Sequence, residues 1–127
     1  MKKFSKKWIS SKKKKKQRKY RFNADQTTRH HLIKINLSKE LREKYKKRNL
    51  EPRKDDVIKV MRGKFKKKEG KITNIDLKHY KIYIEGIQLT KKEGTKTNVP
   101  IDPSNLQMKE INLNDKKRIN KLDKTKS

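Results

Sequence analysis

The sequence predicts a mostly β protein: a small five-stranded barrel with an extended basic N-terminal arm, one short helix before the barrel and a basic C-terminal tail. Three observations point there. Most of the clustered β-branched residues fall between Val57 and Ile111. Glycines at 63, 70, 86 and 94 punctuate that same span. Charge dominates the flanks, and the whole chain of 127 residues holds 41 Lys or Arg against 14 Asp or Glu, a formal net charge of +27.

Residues 1–36 form the arm. Phe4, Trp8, Tyr20 and Phe22 are scattered among its charges with no sustained helical or alternating period, so an extended chain is expected. Residues 37–54 hold the helix and a linker. Ser38 is placed to cap a helix over 38–48, and Glu40 suits the positive end of its dipole. Glu40 with Lys44 and Glu43 with Lys47 are i,i+4 pairs in the favourable order. Leu41 and Tyr45 are its one apolar stripe; Asn49 is the expected left-handed C-cap, and Pro52 prevents continuation.

Residues 55–111 read as the barrel. Val57-Ile58-Lys59-Val60-Met61 is the first strand, with Ile58 and Val60 on one face. Lys71-Ile72-Thr73-Asn74-Ile75 breaks strict alternation, which predicts a bulge or strong twist. Lys81-Ile82-Tyr83-Ile84 alternates cleanly, with Ile82 and Ile84 inward, and Gly86 bends the chain before Ile87 and Leu89. Val99-Pro100-Ile101 and Leu106-Gln107-Met108 flank a turn at Pro103-Ser104-Asn105. Short strands with glycine-marked bends suggest an SH3-like barrel. Residues 112–127 are the basic C-terminal tail. A short helix is allowed at its start, with Asn114 as cap and Ile119 and Leu122 on one face.

A pI near 10.4 attracts polyanions. Nucleic acid leads, because each neutralised phosphate releases counterions. A membrane surface ranks below it, since no segment sets a large apolar face against a basic one. The chain has no cysteine, which excludes disulfides and Cys-based zinc sites. No apolar run marks a secretory signal or reaches the ~20 residues of a membrane span. Neither a Ser/His/Asp nor a Cys/His constellation supplies a nucleophile, so no enzyme is expected.

Two motifs stand out. The first is the basic hairpin Arg62-Gly63-Lys64-Phe65-Lys66-Lys67-Lys68-Glu69-Gly70-Lys71-Ile72, whose turn concentrates positive charge. One glycine would permit positive φ and the other would let the backbone pass close to its surroundings. The competing reading is a solubilising lysine loop. The second motif is Lys19-Tyr20-Arg21-Phe22-Asn23 with Arg29-His30-His31, where Arg and aromatics suit phosphates and unpaired bases. Here the competing reading is a solvated tail. His30-His31 lacks the companions a metal site needs, so no metal and no cofactor are expected. Asp55-Asp56 reads as a turn into the first strand that offsets Arg53 and Lys54.

The run Asp56-Val57-Ile58-Lys59-Val60, Arg62-Gly63 and Gly70-Lys71-Ile72 resembles the KOW motif. Over roughly residues 17–120 the chain resembles the archaeal and eukaryotic form of a large-subunit ribosomal protein family, numbered twenty-four in bacteria and archaea and twenty-six in eukaryotes. Further blocks carry the likeness: Arg18 to Ala24, Leu37 to Tyr45, Tyr80 to Gly86 and Pro103-Ser104-Asn105, in that order. The resemblance implies an SH3-like KOW barrel bound to large-subunit rRNA near the polypeptide exit tunnel, contributing to subunit assembly. It also implies a cytoplasmic, ribosome-bound protein beside neighbouring ribosomal proteins and nascent-chain factors, with no homo-oligomer. The candidate RNA contacts are Arg18, Lys19, Arg21, Arg29, His30, Lys54, Arg62, Lys64, Lys66, Lys67, Lys68 and Lys71, with Gly63 and Gly70 as structural residues. The barrel would be a rigid anchor and the arm would fill crevices between RNA helices. Asp25 stands where the family often has proline, and Asp102 where histidine is common. Two other readings compete: a stand-alone KOW factor that binds RNA polymerase or a transcript, and a small RNA-processing enzyme.

Overall fold

Alternating apolar residues place the centre of the fold where the period-2 pattern is clearest. The computed structural model describes residues 4–124. Strand β3 (Val57–Val60) buries Ile58 and Val60, while β5 (Lys81–Ile84) buries Ile82 and Ile84. Strand β8 (Leu106–Glu110) buries Leu106 and Met108. Between β3 and β5 runs the longest strand, β4 (Glu69–Asp76), eight residues that bury only Ile72 outright. Its register against β5 shifts between Ile72 and Asn74, where the three-residue apolar spacing interrupts the alternation.

Two strands come from earlier in the chain. Strand β1 (Ile35–Leu37) runs parallel to β8, and β2 (Asn49–Leu50) pairs antiparallel with β1. The six-stranded sheet has the order β2-β1-β8-β3-β4-β5. A separate hairpin of β6 (Gln88–Thr90) and β7 (Lys96–Asn98) stands outside it, with every residue of both strands exposed. The segment Val99-Pro100-Ile101 contributes a single bridge, Ile82 to Ile101, and not a strand. The buried core joins Ile33, Ile35, Leu37, Tyr45 and Leu50 to the later strands and to Leu122. Each fully buried isoleucine or leucine contributes about 1.5–3 kcal/mol relative to an exposed one. The core thus reaches well beyond residues 55–111, into the span assigned to arm, helix and linker.

The extended arm is corrected. A 3-10 turn (Lys6–Ser10) and two helices, α1 (Lys14–Phe22) and α2 (Gln26–Leu32), occupy it. Local polar contacts hold them in place of an apolar stripe. Gln17 donates from Nε2 to the carbonyls of Trp8, Ile9 and Ser11, folding the 3-10 turn against α1. Phe4 stacks on the buried Tyr20 at a centroid distance of 5.2 Å. Asp25 caps α2, accepting from the Thr28 N–H at 3.0 Å.

The predicted helix is present as α3 (Lys39–Tyr45). Ser38 Oγ accepts from the Leu41 N–H as its cap. Its left-handed C-cap is Lys46, with φ 55°, and not Asn49, which enters β2. At the other end α4 (Lys116–Lys124) buries Leu122 against the core. Asp115 Oδ1 accepts from the Lys117 N–H there, one residue later than the expected cap Asn114. The remainder of the expected basic tail, 125–127, lies outside the described residues, as do 1–3 of the arm. Among the described residues no helix is long and apolar enough to cross a membrane.

Candidate nucleic-acid interface

The basic turn between β3 and β4 is held to one shape. The Val60 N–H donates to the Lys68 carbonyl at 2.9 Å, and the Lys67 N–H returns to the Val60 carbonyl at 2.8 Å. Lys66 N–H to Gly63 O and Lys68 N–H to Phe65 O close the tip. Gly63 takes φ +95°, a conformation L side chains rarely adopt. Gly70 serves a different need, since a Cβ there would lie 2.6 Å from the Glu85 carbonyl oxygen. Phe65, half-buried against the core, roots the turn from within. The ammonium groups of Lys64 and Lys68 lie 6.0 and 5.1 Å from its ring centroid. Arg62, Lys64, Lys66, Lys67, Lys68 and Lys71 are all exposed. The only local carboxylate on the turn is Glu69 at its exit, so the turn presents a fixed, nearly uniform positive surface.

The arm's basic residues gather elsewhere. Tyr80, buried and held at φ 57°, donates its hydroxyl to the Arg21 carbonyl. The Arg21 and Arg29 guanidinium carbons lie 4.6 and 5.8 Å from its ring centroid. Burial pushes the Tyr80 phenol up, against the opposing pull of Arg29 and Arg21. Arg29 is engaged internally: Nη2 donates to Phe22 O at 2.7 Å, Nε to Ala24 O at 3.0 Å, and Nη1 reaches Leu77 O at 3.5 Å. This half-buried residue fastens α1 and α2 to the turn between β4 and β5, and offers little of itself to a ligand. Arg18, Lys19 and Arg21 stay exposed. Lys14, Arg18 and Arg21 fall on one face of α1, at i, i+4 and i+7.

His30 and Lys54 line a third place, an open groove of about 960 Å³ between α2, the approach to β3 and the approach to α4. Polar contacts cross it: His31 Nδ1 lies 3.1 Å from the Glu51 carboxylate, and ion pairs join Lys121 Nζ to the same carboxylate at 3.7 Å and Arg53 to Asp115 at 2.8 Å. Its charges are largely balanced, so it attracts an anion less strongly than the two basic surfaces above.

Sequence reasoning missed Asp56 and Arg118. Asp56 is fully buried and does not merely offset Arg53 and Lys54. Its two oxygens accept from Arg118 Nη1 and Nη2, each at 2.7 Å. The Arg53 and Asn112 N–H groups donate to the same carboxylate, at 2.9 and 2.8 Å. Arg118 also reaches the Glu51 and Asn112 carbonyls. No local pattern marks a pair so far apart in the chain. Asp102 caps the 3-10 turn Pro103–Asn105 and lies 3.7 Å from Lys81 Nζ. Burial pushes its carboxyl up, but hydrogen bonds from Ser104 and the charges of Lys81 and Arg21 leave it below the ordinary value.

Comparison with known proteins completes these observations. A family model described as ribosomal proteins, L26 in eukaryotes and L24 in archaea, matches residues 11–125. A large ribosomal subunit protein uL24 from Methanoculleus marisnigri is 42% identical over 114 residues, covering 90% of this chain and 94% of the relative. A protein of the same name from Methanosphaera stadtmanae is 38% identical over 114 residues, covering 90% of this chain and 97% of the relative.

Proposed function

The chain belongs to the family of eukaryotic L26 and archaeal L24 ribosomal proteins, and from that premise we propose that it is a structural constituent of the large ribosomal subunit, held there by rRNA. The observation that carries the RNA reading is the turn Lys64–Lys68. Its lysines are exposed on a backbone pinned by Val60, Gly63 and Phe65. A rigid cationic tip loses little entropy when phosphates close on it. The exposed arm residues Arg18, Lys19 and Arg21 extend the contact, and Gly63 and Gly70 shape the turn. Arg62 and Lys71 flank it on the strands; His30 and Lys54 are accessory contacts.

Residues 55–111 form an SH3-like KOW barrel in this reading. The register shift in β4 and the Ile82–Ile101 bridge support it. The mechanism is placement and not chemistry: the protein fixes RNA segments during subunit assembly. In this reading the protein lies near the exit tunnel, beside neighbouring ribosomal proteins and nascent-chain factors, in a cytoplasmic, ribosome-bound state.

Co-sedimentation on a gradient after a high-salt wash tests this. The expected result is retention with the large subunit. Release into light fractions, or migration with RNA polymerase, rejects it in favour of a stand-alone KOW factor.

A further inference from the structure

We propose that residues 4–32 form a strap that closes onto the sheet and melts off it as one unit while the sheet stays folded, with Tyr80 as the latch. The inference concerns the free protein and does not depend on what the charges of the strap touch.

The first reason is that burial falls into two groups. The core runs from Ile33 to Leu122 and includes no residue of the 3-10 turn, α1 or α2. Among the described residues of the strap, Tyr20 and Ala24 are the buried ones, and neither joins that core. Tyr80 is buried as well and also lies outside it. A segment that shares few buried apolar contacts with the core opens at a lower free energy than the core itself.

The second reason is the internal wiring of the strap. Gln17 ties the 3-10 turn to α1 through three carbonyls. Arg29 ties α1 to α2 through the Phe22 and Ala24 carbonyls. Helices of nine and seven residues do not persist alone in water. Undocking therefore melts the strap, and its parts go together.

The third reason is the latch. The Tyr80 hydroxyl donates to the Arg21 carbonyl, and its ring carries the Arg21 and Arg29 guanidinium groups at 4.6 and 5.8 Å. Arg29 Nη1 reaches the Leu77 carbonyl of the same turn at 3.5 Å. The contact of His31 with Glu51 is exposed and adds little. It lies beside Ile33, where the strap enters the core and hinges.

The fourth reason is that the β4–β5 turn does not need the ring. Asp76 Oδ1 accepts from the Lys78 and His79 N–H groups and shapes the turn by itself. Tyr80 closes the turn at φ 57°, where a bulky residue is strained and glycine is not. The tyrosine strains its own hairpin and serves the strap.

The test uses the full chain. Trp8, its one tryptophan, is half-buried in the 3-10 turn, so its emission reports the strap. Hydrogen exchange at the amides of β3, β5 and β8 reports the sheet. In wild type the Trp8 transition should come at lower urea than loss of protection at those amides. Tyr80→Phe keeps the ring and drops the hydroxyl bond, and should speed exchange in α1 and α2 by about 2–10-fold. Tyr80→Gly removes the ring and relaxes the backbone, and should give the melted Trp8 emission without urea. In both variants β3, β5 and β8 should keep wild-type protection. A single transition for Trp8 and the sheet in wild type, or equal loss of protection in strap and sheet in either variant, overturns the proposal by making one cooperative unit of the two. Wild-type Trp8 emission and an unshifted Trp8 transition in Tyr80→Gly overturn it by removing the latch.

Discussion

Arg118 and Asp56 form a buried fork, Nη1 to Oδ1 and Nη2 to Oδ2, each 2.7 Å, with the two side chains 4% and 0% exposed. The carboxylate is further satisfied by two backbone N–H groups, and the guanidinium by two carbonyls. The pair therefore joins three segments, the approach to β3, the exit from β8 and α4. Removing one partner leaves a buried charge without its counterpart. Asp56→Ala or Arg118→Ala should each lower stability by about 3–5 kcal/mol in urea denaturation. The double variant should cost much less than the sum of the two, which a double-mutant cycle measures. Additive losses would mean that the two groups act independently.

The two glycines of the basic turn should fail differently. Gly63→Ala forces a side chain into φ +95° with nothing within 4 Å to strike, a conformational cost of about 1–3 kcal/mol. Gly70→Ala drives a Cβ to 2.6 Å from a backbone oxygen and 2.8 Å from Ile84 Cγ2, so β4 and β5 must separate locally. Hydrogen exchange of the β4 and β5 amides should rise in Gly70→Ala and stay near wild type in Gly63→Ala.

Among the candidate contacts, exposure separates the side chains open to a ligand from those that support the fold. Replacing Lys64, Lys66, Lys67 and Lys68 with Ala should reduce the slope of log K against log salt by about 0.7–0.9 for each phosphate the turn no longer touches. Arg29→Ala should chiefly lower stability, since its guanidinium holds the Phe22 and Ala24 carbonyls. Its salt slope should stay close to that of wild type. A slope unchanged in the lysine variant would remove the turn from the interface.

Acid should act through Asp76. A hydrogen bond from the His79 side chain, helped by the His79 and Lys78 N–H groups, holds its carboxyl below the ordinary 3.8. Folding therefore favours the ionised form. The stability this adds is complete above the ordinary value and declines as pH falls through the lowered one. Asp76→Asn should flatten that part of the acid limb of a stability–pH profile. An unchanged limb would mean that the turn does not sense the charge.

Legibility followed the length scale of each signal. Ile58 with Val60, and Ile82 with Ile84, announced their strands through alternation, and Ser38 announced a helix through its cap. Ile33-Lys34-Ile35-Asn36-Leu37 alternates just as strictly and is buried just as strictly, yet its surrounding charge masked β1. Helix α2 carried a signal in Asp25, three residues before Thr28. Helix α1 carried none, for the side chain of Gln17 and the stacking of Phe4 on Tyr20 hold it where an apolar stripe would be expected. The basic turn could be read because charge, glycines and sequence neighbours coincide. Arg118 could not, because its partner lies in another element 62 residues away.

The parallel pairing of β1 with β8 sets an order on synthesis. β8 lies between β1 and β3 in the sheet, so neither can reach the other without it. A nascent chain that has emerged only as far as Pro103 holds two unjoined pieces: β1–β2 on one side, and β3, β4 and β5 on the other. The cationic arm and turn are then already outside, ahead of the strand that unites the sheet. Completion of the sheet therefore waits for β8, and the chain's densest positive charge emerges before the strand that joins its two halves.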